Sequence, residues 1–170
     1  MNDPPFESYL TAPWKAEYVS KKKDPNECIF CAIANKNKSI IAWEVFRDDQ
    51  AMILLNKYPY NPGHLLIVPL DHFEEFDMLP SNISCHLTML IQNSLKLLKK
   101  THFTLGFNIG LNAGNVSGAS VRHIHWHVVP RYYGDYSFLE ILGTRALVET
   151  LPQTLAKLQK EIKILNQHTS

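Results

Sequence analysis

The run Val121-Arg122-His123-Ile124-His125-Trp126-His127-Val128-Val129-Pro130-Arg131 constrains the fold more than any other stretch of the chain. Histidines alternate with apolar residues of the β-branched and aromatic kinds, which is the period-two pattern of a half-buried β-strand. Successive strand side chains point to opposite faces, so Ile124, Trp126 and Val128 turn toward a core. His123, His125 and His127 then stand in a row on the other face, roughly 6.5–7 Å apart per step. Such a row could be a metal comb or a hydrogen-bonded polar face. Imidazoles need partners or solvent wherever they sit, so three on one face is a costly arrangement. We read it as an active-site strand.

The pattern from His123 to Val129 resembles the signature of the histidine triad family of nucleotide hydrolases and transferases. The resemblance extends through Gly118-Ala119-Ser120-Val121 and, upstream, through Asn61-Pro62-Gly63-His64-Leu65-Leu66-Ile67-Val68-Pro69, so that it covers about Cys28 to Arg131. It implies an α+β fold: an antiparallel five-stranded sheet with a long amphipathic helix and a C-terminal helix.

Composition sets the outer bounds. At 170 residues the chain has the length of one domain, able to bury roughly 70% of its unfolded surface. A net charge of +1 gives no reason to expect nucleic acid or an anionic membrane as partner. No apolar run reaches about 18 residues, and the first residues lack a secretory pattern. Three cysteines, an odd number, argue against a secreted disulfide framework, so the expected compartment is the cytoplasm.

Residues 1–27, with Pro4, Pro5, Pro13, Pro25 and the run Lys21-Lys22-Lys23, read as an extended arm ahead of a single domain over 28–170 that ends in a C-terminal extension. Cys28-Ile29-Phe30-Cys31 follows the arm. By itself this Cys-x-x-Cys could be half a zinc site, a redox pair or two buried thiols. Strands are expected over 40–46 and 50–55, joined by the turn Arg47-Asp48-Asp49, and over 64–68 after a proline-rich loop. Ser81 is a plausible helix cap. From there Ile83, Leu87, Leu90, Ile91, Leu95 and Leu98 recur at helical spacing to about Lys100, with lysines where the macrodipole favours them. His86 and His102 read as surface or structural residues. Phe107, Ile109 and Leu111 mark another strand, which leads through the loop 113–118 to the histidine run. Leu155, Leu158, Ile162 and Leu165 mark one side of a final helix after Pro152.

A neutral imidazole is nucleophilic and can leave again, which suits transfer of a phosphoryl-type group. His125 is flanked by two more imidazoles on its own face and is our candidate nucleophile from position alone. The resemblance implies the same role: attack on an α-phosphorus and a nucleotidyl-histidine intermediate resolved by water or phosphate. It further implies that His127 hydrogen-bonds near the scissile oxygen, that His123 sets geometry, and that His64 supports the site from behind. It places phosphate contacts at Asn112, Gly118 and Ser120, a ribose contact at Asn56, and an apolar base pocket at Ile29, Phe30, Ile33 and Leu54. It completes a structural zinc site with Cys28, Cys31, His72 and His123. Taken singly, the apolar four read more readily as core, and Asn56 equally as a loop cap. One departure stands out: many family members carry glutamine where this chain has Ala119.

The stretches Tyr58 to His64, Gly106 to Asn112 and Pro130 to Asp135 are similar to the dinucleoside polyphosphate hydrolases and phosphorylases of the family. They imply cleavage of diadenosine tetraphosphate or triphosphate. A phosphoramidase acting on P–N bonds, and a nucleotide- or zinc-binding adaptor without turnover, are the other readings. The resemblance also implies a homodimer, with the helix over 81–100 and the apolar residues between Tyr132 and Leu151 as candidate contacts.

Overall fold

A computed structural model describes residues 28–135 and 149–166. The arm expected over 1–27 lies outside the described residues, as do most of the apolar residues between Tyr132 and Leu151. Five strands form one antiparallel open sheet: β1 (Glu44–Arg47), β2 (Ala51–Leu55), β3 (Leu65–Pro69), β4 (Gly106–Gly110) and β5 (Trp126–Arg131), in the order β1-β2-β3-β5-β4. Among the described residues three α-helices accompany them: α1 (Ile29–Ala34), α2 (Ser81–His102) and α3 (Leu151–Gln159).

Every residue of β2 and β3 is buried, because both faces of the sheet are covered there. On one face Ala51, Ile53, Leu55, Leu65, Ile67 and Val128 pack against Leu87, Leu90, Ile91, Leu97 and Leu98 of α2 and against Leu158 and Leu165 beyond it. On the other face Met52, Leu54, Leu66 and Val68 pack under Phe30, with Cys28, Ile29 and Ile33 at the edge. Those strands therefore read as continuous apolar runs instead of alternating ones.

α2 runs as its spacing predicts, with Lys99, Lys100 and His102 in the last turn. Ser81 is its first residue and not its cap: Pro80 takes that place and no side chain caps the helix. The turn between β1 and β2 is held by Asp48, whose Oδ1 accepts the N–H groups of Gln50 and Ala51. Its Oδ2 lies 2.8 Å from Nε2 of His86, which confirms a structural role for that histidine. The final helix breaks: α3 ends at Gln159 and a 3₁₀ turn carries Ile162 to Asn166, keeping Leu158 and Leu165 in the core.

The histidine run is a strand over only part of its length. β5 begins at Trp126, and Val121 to His125 stand outside the ladder. The reason is visible in the backbone: the Ile124 N–H donates to the Phe73 carbonyl at 2.7 Å, which draws the chain away from β3 toward the loop after it. Alternation survives the departure, with Ile124 and Val128 buried toward the core.

Candidate active site and metal centre

His127 pairs with Leu66 across the β3–β5 ladder and so emerges on the face covered by α1. The ring of His125 lies 5.0 Å from that of His127, and His64 lies 5.2 Å from His127 on the far side. His64 reaches this position because Gly63, with φ +84°, turns the chain immediately before it. A Cβ at Gly63 would crowd Leu98, Pro130 and His102 at 3.0–3.3 Å and would sit on a backbone strained for any L residue, so the turn favours glycine.

Backbone groups fix the protons of these rings. The Tyr60 N–H donates to Nδ1 of His64 at 3.1 Å. Burial, then the neighbouring His127 and His125, push the His64 pKa down to about 3, so the ring is neutral and its one proton sits on Nε2. Nε2 lies 2.9 Å from Nδ1 of His127 and donates to it. His127 must then carry its own proton on Nε2. His125 is set the other way: its Nδ1 donates to the His123 carbonyl at 2.7 Å, which leaves a lone pair on Nε2. Burial lowers the His125 pKa and outweighs the opposing pull of that carbonyl, so the ring stays neutral. Two adjacent rings thus offer opposite functions, a lone pair and a proton donor.

His123 turns away from this pair. Its Nε2 donates to the Pro69 carbonyl at 3.0 Å, and its Nδ1 faces the Cys28 and Cys31 sulfurs at 3.3 and 3.6 Å. Nδ1 of His72 lies 3.2 Å from the Cys31 sulfur. The two cysteines stand three apart at the start of α1, which sets both thiols on one side of the helix. One donor atom from each of Cys28, Cys31, His72 and His123 falls within 4.8 Å of the others, and together they could hold a metal ion. Burial, then the adjacent Cys28, push the Cys31 thiol up to about 11. A Cys31 thiol that resists ionising beside a second sulfur is a donor that a bound dication would help to deprotonate. Second partners already orient both imidazoles: Pro69 for His123, and Glu74, whose carboxylate is 3.5 Å from Nε2 of His72.

A family model described as HIT domain matches residues 37–134. The chain belongs to the histidine triad family. It is 41% identical over 108 residues to an uncharacterized HIT-like protein of Methanocaldococcus jannaschii, covering 64% of this chain and 81% of that one. It is 32% identical over 154 residues to a protein named AP-4-A phosphorylase of Mycobacterium tuberculosis, covering 84% of this chain and 77% of that one. Among solved structures it resembles a Zn-bound histidine triad family protein from Mycobacterium smegmatis, with a TM-score of 0.70, 24% identity, and coverage of 82% of this chain and 96% of that one. That likeness is one of fold.

In this histidine triad protein His64, His125 and His127 converge, whereas His123 points into the group formed by the four expected metal ligands. Phe30 joins them, its ring 5.0 Å from His125, while Ile29, Ile33 and Leu54 pack around it in the same apolar cluster. Asn56 leans on the His64 ring at 3.4 Å, and its Oδ1 accepts the Tyr58 N–H, so it does cap the loop. Asn112, Gly118 and Ser120 lie on the connection between β4 and β5. Neither Asn112 nor Ser120 hydrogen-bonds the histidines among the described residues. His102, read as surface or structural, is buried at the far end of α2 beside Glu149.

Three functional neighbours escaped the sequence reading. Tyr60 sets the His64 proton. Glu74 stands behind His72 and is itself held by Arg122 at 2.6 Å. Arg47 reaches from β1 to the carbonyls of Ile33 and Ala34, fixing the C-terminal end of α1. Tyr60 acts through its backbone, Arg47 from another element, and Glu74 through a side chain two residues from His72, and hydrophobic periodicity records none of these.

Proposed function

We propose that this chain cleaves dinucleoside polyphosphates, such as diadenosine tetraphosphate or triphosphate, at the α-phosphorus through a nucleotidyl-histidine on His125. The observation that carries the reading is the opposed protonation of His125 and His127, set by backbone groups 5.0 Å of ring spacing apart. The His125 Nε2 lone pair attacks phosphorus, an N–P bond forms, and the P–O bond to the leaving phosphate breaks. His127 hydrogen-bonds the departing oxygen, which leaves as a stable anion. The Nδ1–H of His125 stays on the ring and donates to the His123 carbonyl, which stabilises the cationic ring. A phosphate oxyanion, or a water that gives one proton to solvent, then attacks phosphorus and the N–P bond breaks, its electron pair returning to Nε2 and restoring neutral His125. The 32% identity to the AP-4-A phosphorylase supports a polyphosphate substrate. Asn112, Gly118, Ser120 and Asn56 are our proposed phosphate and ribose contacts, and Phe30 with Ile29, Ile33 and Leu54 the base pocket.

We assign zinc to Cys28, Cys31, His72 and His123, since two thiols and two imidazoles are its usual structural set. Bound there, the ion would act as a Lewis-acidic staple between α1 and the histidine run. The working form in this reading is a cytoplasmic homodimer, supported by three free thiols and by the open β4 edge with Ile109 exposed.

The test is product analysis by mass after incubation with diadenosine tetraphosphate, diadenosine triphosphate and adenosine 5′-phosphoramidate, with and without labelled inorganic phosphate. Intact-protein mass should show a nucleotidyl adduct that His125→Ala loses while still binding adenosine monophosphate. Near-full turnover by His125→Ala would overturn the mechanism. Turnover of the phosphoramidate alone would overturn the substrate class.

A further inference from the structure

The rings of the site follow one another from Phe30 to Tyr60 and turn back at His64, so that Tyr60 borders both His64 and His127. Phe30 lies 5.0 Å from His125, His125 5.0 Å from His127, His127 5.2 Å from His64, and His64 4.9 Å from Tyr60. Aromatic groups therefore stand at both ends of the imidazole row. Their settings differ: Phe30 comes from α1 and is 6% exposed, whereas Tyr60 comes from the β2–β3 loop and is 38% exposed. Tyr60 also lies nearly parallel to His127, at 21° and 6.4 Å. The lone pair is on the Phe30 side and the proton donor on the Tyr60 side, so the phosphorus under attack keeps its own nucleoside toward Phe30. In that reading the departing group lies on the His127 side, which the Tyr60 ring borders.

We propose that the Tyr60 ring is the stacking platform for the leaving half of the substrate, whose far end is therefore a second nucleobase. This rests on the polyphosphate reading above and names a residue that selects for it. An ammonia leaving group is too small to meet the ring, whereas a nucleoside polyphosphate can fold back onto it. Lys57, whose ammonium stands 5.6 Å over the neighbouring Tyr58 ring, gives the same loop a positive charge suited to the intervening phosphates. The loop is anchored independently of the ring, because Asn61 Nδ2 donates to the Pro130 carbonyl and to Asp135. The backbone N–H of Tyr60, which sets the His64 proton, is kept by any substitution except proline.

The experiment compares kcat/KM on diadenosine tetraphosphate and on adenosine 5′-phosphoramidate for the unaltered protein, Tyr60→Ala and Tyr60→Phe. Base stacking on an aromatic side chain is commonly worth about ten- to a hundredfold in binding. Tyr60→Ala should lower the dinucleotide to phosphoramidate ratio by about that factor, and Tyr60→Phe should restore it. Equal losses on both substrates would overturn the proposal, because the ring would then act only through the histidines it touches. No loss on either would overturn it too. If the unaltered protein leaves the dinucleotide intact, the polyphosphate reading itself has failed, an outcome visible before any variant is made.

Discussion

At the scale of the single residue, much of the site's geometry passes through Gly63. It turns the chain with a positive φ where Leu98, Pro130 and His102 would crowd a side chain. An alanine there would carry about 1–2 kcal/mol of left-handed strain and about 1–3 kcal/mol of overpacking. Gly63→Ala is expected to lose about 2 kcal/mol or more in urea unfolding, and to lose turnover as well, because His64 follows directly. A loss below about 0.5 kcal/mol would show that the loop relaxes freely. This residue also shows what a sequence discloses: Pro-Gly-His announces a turn before a histidine, and the turn is there. The Tyr60 N–H left no such mark, since any residue but proline supplies a backbone donor. Which nitrogen of each histidine carries its proton was therefore beyond reach until the loop could be seen folded over His64.

At the scale of elements, the sheet and α2 were legible because hydrophobic periodicity records burial on one face. The six residues of α1 were not, since Ile29 to Ala34 is too short and too apolar for a helical period to show. The helix is held by contacts at its two ends. Arg47 binds its last carbonyls, and Cys28 and Cys31 face His72 and His123 at its start. A metal at the second point would add its binding energy to the docking of the helix. Protein purified without added metal is expected to hold close to one zinc per chain. Chelation should lower its melting temperature by roughly 2–4 °C for each kcal/mol of binding lost. Cys28→Ser should melt near the chelated protein and respond little to chelator, losing more in stability than in chemistry. Equal melting of chelated and untreated protein would remove the staple. α3 makes a parallel case on the other face. The family match ends at residue 134, yet Leu158 is fully buried against α2. Leu158→Ala is expected to cost about 2–5 kcal/mol, which would show that the segment beyond the match belongs to the folding unit.

For the molecule as a whole, one face of the sheet is covered by α2 and α3 and holds the main apolar core, with His102 buried at the end of α2, while the other buries the rings of the site. His64, His123 and His125 all have pKa values lowered chiefly by burial, to about 3 for His64 and about 4 for His123. In the unfolded chain the same groups titrate near 6.5. Above that value both states are neutral and stability does not depend on these rings. As pH falls below about 6.5 the unfolded chain takes up protons that the folded one refuses, so stability is lost steadily until the folded values are reached. Each excess proton contributes about 1.4 kcal/mol per pH unit to the slope. Measured on metal-free protein, so that release of an ion adds no protons of its own, unfolding free energy should be level from pH 8 to about 7 and then fall steeply toward pH 5. His64→Gln keeps a donor and an acceptor but cannot titrate, so its curve should fall less steeply by about one proton, whatever its offset. A level curve down to pH 5 would mean that the folded protein protonates these rings as readily as the unfolded chain. The neutral nucleophile required of His125 would then be gone at the same pH.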